Sequence, residues 1–94
     1  MPIFVALGKA TCDGVKEVGG LLQRHEAAVR RAEQLGGKVL SSYALLGPYD
    51  YLTVLECPDE KVAFRILAGE ASHGHVHYET MVAVPFEEFA RLMA

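Results

Sequence analysis

Two hydrophobic periods alternate along the chain, one of strands and one of helices. Residues 3–7, Ile-Phe-Val-Ala-Leu, are a short apolar run closed by Gly8, which predicts a first strand. Thr11 or Asp13 can cap a helix, since each offers a side-chain oxygen to an unpaired backbone N–H. After Gly19-Gly20 the spacing becomes helical. Leu21, His25, Ala28, Ala32 and Leu35 recur at intervals of three and four, predicting a helix over 21–35 with Arg24, Glu26, Arg30, Arg31, Glu33 and Gln34 outside. In that register His25 is a packed residue on the apolar stripe. Gly36-Gly37 supplies a left-handed stop.

Residues 38–46 and 51–57 are rich in β-formers and flank Gly47-Pro48-Tyr49-Asp50, a turn sequence, so they predict an antiparallel hairpin. Pro58-Asp59 opens a helix over 60–68, with Val62, Ala63, Ile66 and Leu67 inward and Gly69 at its end. A polar link with Ser72, His73 and Gly74 leads to a strand over 76–84. Alternation there places Val76, Tyr78, Thr80, Val82 and Val84 on one face and His77, Glu79, Met81 and Ala83 on the other. Pro85 begins a short last helix with Phe86, Phe89 and Leu92 or Met93 on its apolar side.

The order βαββαβ plus a C-terminal helix predicts one α+β domain over residues 1–94 with a ferredoxin-like layout. Right-handed crossovers put both long helices on one face of a four-stranded antiparallel sheet. The other face needs cover, from the last helix, a ligand or a second sheet. Half the residues are apolar, yet a chain of 94 residues buries a modest share of its surface. A homodimer or higher homo-oligomer is the expected remedy.

Charge narrows the partners. A net charge of −3 and a pI near 5.7 do not suit a nucleic-acid binder, and Arg24, Arg30 and Arg31 are interleaved with Glu26 and Glu33 as on a solvated helix face. No apolar stretch approaches the roughly 20 residues that span a bilayer, so no membrane partner is expected and the cytoplasm is the default location. Cys12 and Cys57 lack metal or redox spacing and read as small apolar residues.

Gly47, Tyr49 and Asp50, set in Leu-Leu-Gly-Pro-Tyr-Asp-Tyr-Leu, resemble the signature of the GYD-domain family. The likeness extends to Ile-Phe-Val-Ala-Leu-Gly-Lys at the start, Leu-Gly-Gly-Lys-Val, Val54-Leu55-Glu56 before Pro58-Asp59, Glu79-Thr80, and the closing Val84-Pro85-Phe86-Glu87-Glu88-Phe89. The resemblance implies a dimeric α/β-barrel, in which two ferredoxin-like sheets close face to face. It implies no particular reaction. The histidines at 73, 75 and 77 depart from the family pattern.

Those histidines alternate, so in extended chain they project to one side, with Glu79 continuing the row. His73, His75 and His77 are therefore candidate ligands of a divalent metal, although Gly74 makes the first part a loop and no cofactor is otherwise expected. The alternative is a polar, half-exposed start to the strand. Tyr43, Tyr49, Asp50 and Tyr51 are candidate ligand-binding groups, and His77 with Glu79 a candidate acid/base pair, if all meet inside a dimer barrel. Against that, a turn Asp most often caps its own backbone and Tyr49 would pack at the rim. An apolar wall of Leu40, Leu52, Val54 and Met81 would complete a small-molecule pocket on the helix-free face. The expectation is a homodimeric small-molecule-binding domain. A cofactor-free or metal-assisted acid/base enzyme and a purely structural oligomerisation module are the alternatives.

Overall fold

The computed structural model describes residues 1–16 and 18–94, Val18 by its backbone only. Four strands, β1 (Ile3–Ala10), β2 (Lys38–Ala44), β3 (Tyr51–Glu56) and β4 (Val76–Ala83), form one antiparallel sheet in the order β2-β3-β1-β4. The helices are α1 (Cys12–Lys16), α2 (Leu21–Gln34), α3 (Glu60–Ala71) and α4 (Phe86–Leu92), with a 3-10 turn at Val18–Gly20 before α2. The α+β class follows from the sequence. β4 pairs with β1, at the edge opposite β2.

Strand register sorts the side chains into two faces. One face holds the row Val39–Leu55–Phe4–Val82 and, further along, Ala44–Tyr51–Gly8–Tyr78. α2 and α3 cover it. Phe4, Leu55, Cys57, Ala32, Ala63 and Ile66 form the buried core, with Leu35, Val39, Val62 and Leu67 packed around them. The opposite face holds Tyr43–Leu52–Leu7–Glu79, then Ser41–Val54–Val5–Met81, then Lys38–Glu56–Ile3–Ala83. A bulge between Val39 and Ser41 carries Leu40 out of regular pairing.

Helix ends follow local chemistry. Asp59 Oδ1 accepts the Val62 N–H at 3.0 Å and starts α3. After α2, Gly36 at φ 95° lets its own N–H and that of Gly37 return to the carbonyls of Glu33 and Ala32. Three features differ from the sequence reading. β1 runs through Gly8 to Ala10, because Gly8 sits in the middle of the sheet with the Tyr51 and Tyr78 side chains either side. α3 runs through Gly69 to Ala71, since a helical glycine without a following stop costs only about 1 kcal/mol. The inner stripe of α2 is rotated: Arg24 lines a cleft, Arg31 is half-buried and His25 is exposed, so His25 is not a packed residue.

α4 stands apart. None of its residues is buried, and Phe86, Leu92 and the following Met93 are 80%, 67% and 68% exposed. The radius of gyration is 13.9 Å, against about 12 Å for a compact chain of this length.

Candidate functional site

The helix-free face of the sheet carries apolar residues that neither long helix covers. Ile3, Val5, Leu7, Leu52 and Val54, on the two central strands, are half-buried, and Met81, on the edge strand β4, is exposed. Four strands about 4.8 Å apart and six to eight residues long, at about 3.3 Å per residue, give this face a plan area of roughly 450–500 Å². Neither α2 nor α3 lies over it. In the single chain it is open rather than concave, so a pocket there needs a second surface to close it.

Polar groups collect at one end. Gly47, at φ 134°, opens the turn and brings Tyr49 back toward β4. The Tyr49 hydroxyl donates to Glu79 Oε2 at 2.6 Å. That bond, and secondarily the negative charge of Glu79, raises the Tyr49 pKa above the ordinary tyrosine value. His77 lies two residues before Glu79 on the same face, opposite Lys9. Tyr43 occupies the same cross-strand row as Glu79 but on the far edge strand, roughly 14 Å away across three strand spacings. Of the expected constellation, then, Tyr49, Glu79 and His77 share one end of the face, and Tyr43 stands across it.

Asp50 and Tyr51 are placed elsewhere. Asp50 Oδ2 accepts the Ala10 N–H at 2.8 Å, and the Asp50 N–H donates to the Gly8 carbonyl at 2.8 Å. The turn aspartate thus ties the hairpin to the end of β1, a strand 40 residues away, rather than capping its own backbone. Tyr51 is on the helix-covered face, across Gly8 from Tyr78.

The three alternating histidines do not converge. Only His77 belongs to β4, on the helix-free face, while His73 and His75 precede the strand and lie on the helix side. Among the described residues no group of three His, Cys, Asp or Glu is disposed to hold a metal ion. The turn at Gly74, at φ 82°, breaks the alternation that put them on one side.

Clefts open on the helix side. One, of about 440 Å³, runs between α3 and β4 and is walled by Phe64, Leu67, Ala68, Tyr78, Thr80 and Val82. It is apolar and open. The second, of about 200 Å³, lies between α2 and the link before β4 and is more polar. At its side Arg31 makes a two-pronged bond to Glu70, both N···O distances 2.7 Å. Glu70 thereby raises the Arg31 pKa further and holds it cationic. Burial, with the charge of Glu70 behind it, pushes Tyr78 up. Sequence spacing does not mark Arg31, Glu70 and Tyr78 as site residues. The one signal was Arg24 and Arg31 seven apart, two helical turns on one face; Glu70 lies 39 residues from Arg31 and had none.

Comparison with known proteins agrees with the sequence resemblance. A model of the GYD domain matches residues 4–93. A protein of Thermus thermophilus described as "Glutamine synthetase and cystathionine beta-lyase binding protein" is 34% identical over 94 residues, covering 98% of this chain and 99% of its own. The crystal structure of FFRP-DM1 superposes with a TM-score of 0.62 at 17% identity, over 89% of this chain and all of that one. The crystal structure of a further Thermus thermophilus protein gives a TM-score of 0.55 at 22% identity, over 90% of this chain and 95% of that one. The two structures share the fold.

Proposed function

The chain belongs to the GYD-domain family, and from that premise we propose that it is a homodimeric protein-binding module. One observation carries the proposal: a paired, regular sheet leaves its Ile3–Val5–Leu7–Leu52–Val54–Met81 face without cover from its own long helices. Such a face is self-complementary, and a twofold partner covers it with the same residues. Side-chain relief brings its roughly 450–500 Å² plan area toward the ~800 Å² per partner of a standard interface.

Dimerisation leaves α4 as the element free to meet another protein. Phe86, Phe89, Leu92 and Met93 form an apolar strip beside Glu87, Glu88 and Arg91. The 34%-identical relative is described as binding glutamine synthetase and cystathionine beta-lyase, which makes those two enzymes the first partners to test. Val54→Asp should convert the dimer to a monomer in sedimentation velocity, and Phe89→Ala should weaken capture of either enzyme while leaving the dimer intact. A wild-type chain that sediments as a monomer at tens of micromolar refutes the dimer. Purified enzymes that show no binding to the wild-type chain refute the partner reading.

The Tyr49–Glu79 bond favours a second reading, in which the closed dimer holds a small ligand at the polar end of the interface. Tyr49, Glu79 and His77, with Tyr43 from the opposite edge, would then contact it. Acid/base chemistry by His77 and Glu79 belongs to the same reading.

A further inference from the structure

The polar cleft on the helix side is separate from the dimer face and from α4, and its construction is specific. Its floor is made by Tyr51 and Tyr78, which approach each other across Gly8. A Cβ on Gly8 would come within 2.9 Å of Val76 Cγ1 and 3.3 Å of Tyr78 Cε1, so the glycine leaves the room the floor needs. One wall is the inner side of α2, with Arg24 and Arg31. The rim is histidine from two elements: His25 from α2, and His73 and His75 from the link before β4.

That link is held in place. The Thr11 N–H donates to the His75 carbonyl at 2.9 Å, and the Thr11 hydroxyl donates to the Gly74 carbonyl at 2.6 Å. The same hydroxyl accepts the Gly14 N–H at 3.1 Å. Gly14 itself packs directly under the link, where any Cβ would collide with the His75 carbonyl oxygen. The backbone carrying His73 and His75 is thus clamped by Thr11 and α1 beside α2, which is where the cleft opens.

Among the described residues that line the cleft, Arg24 and Arg31 outnumber the one carboxylate. Among the described residues Glu70 is its sole acidic wall residue, and it is engaged by both prongs of Arg31. Two guanidinium groups, three imidazoles and two phenol hydroxyls line the same space, and a guanidinium carries five N–H donors, more than one partner can use. A volume of about 200 Å³ is room for roughly six waters, or for one oxyanion with a small attached group. Guanidinium and imidazole donors grouped in this way match the planar or tetrahedral oxygens of carboxylate and phosphate.

We infer that the cleft bounded by Arg24, Arg31, His25, His73, His75 and Tyr78 binds a small molecule through a phosphate or carboxylate group. The histidines that do not meet as metal ligands find their role here, as anion donors. Binding would stiffen the joint between α2 and β4 without touching the sheet face or α4.

The test uses the full chain, isotopically labelled, titrated separately with inorganic phosphate and with acetate at constant ionic strength set by chloride. Ring resonances of His25, His73, His75 and Tyr78 should move together and saturate. Saturation by phosphate alone assigns a phosphate-bearing ligand; saturation by acetate as well extends the class to carboxylates. His73→Ala with His75→Ala should weaken binding by about tenfold or more, because both ring N–H donors to the anion are removed. Lys61→Gln, a charge removed roughly 14 Å along α3 from Glu70, should change it by less than about twofold. The inference is overturned by shifts that stay linear for both anions, by a histidine pair variant that binds like wild type, or by Lys61→Gln weakening binding as much as the pair.

Discussion

Asp50→Ala isolates one bond that the whole turn is built around. In the native chain the Asp50 carboxylate accepts the Ala10 N–H at 2.8 Å, while the Asp50 backbone bonds to Gly8 and Leu45 and needs no side chain. Alanine removes only the carboxylate bond and leaves the Ala10 N–H, in half-buried surroundings, to find water. A hydrogen bond to a charged group contributes about 1.5–3 kcal/mol. Half-exposure lets water replace part of that, so the expected loss is about 1.5 kcal/mol. For a domain of this size that is a fall in Tm of roughly 6–12 °C. Asp50→Asn keeps an acceptor oxygen without the charge and should lose about half as much. The assay is urea unfolding followed by circular dichroism at one fixed protein concentration, because self-association makes apparent stability depend on concentration. Alanine within about 0.5 kcal/mol of wild type would show that the carboxylate is not what holds the hairpin to β1. Asparagine as damaging as alanine would show that charge, not an acceptor, matters.

Two further outcomes follow from titratable groups. Because Glu79 accepts from the Tyr49 hydroxyl, the phenol is held protonated in the folded chain; the bond's stabilising effect is complete below the ordinary tyrosine value of about 10 and is lost as pH rises through the higher folded value. Glu79→Ala should return Tyr49 to the ordinary range in an ultraviolet phenolate titration, and an unchanged curve contradicts the bond. Cys57 is 0% exposed in the core, its thiol pushed up by burial and then by Asp59, whereas Cys12 is exposed. Iodoacetamide should therefore label Cys12 alone in native protein and both cysteines after denaturation, as mass spectrometry would read; equal native labelling contradicts the burial of Cys57.

The elements themselves were legible from local pattern. Periodicity, the Gly36-Gly37 stop, the Asp59 cap and the Gly47-Pro48 turn act within a few residues, and each element existed where its pattern lay. The strict alternation of β4 was legible too, and it placed His77, Glu79 and Met81 together on one face. Glycine was the weak point, because its roles differ. Gly8 and Gly69 read as terminators, but Gly8 makes space for two tyrosines from β3 and β4, and Gly69 is carried by a helix whose packing outweighs its propensity.

What the chain determined alone is therefore the βαββαβ order, the two faces of β4 and the shortage of cover on one side of the sheet, since these depend on period and on connections of few residues. Only tertiary structure decided which polar residues meet. The Asp50–Ala10, Tyr49–Glu79 and Arg31–Glu70 bonds span 40, 30 and 39 residues, and strand order across the sheet, not spacing along the chain, brings such groups into hydrogen-bond reach. A left-handed turn at Gly74, clamped by Thr11 from 63 residues away, sends His77 to one side of the sheet and His73 and His75 to the other.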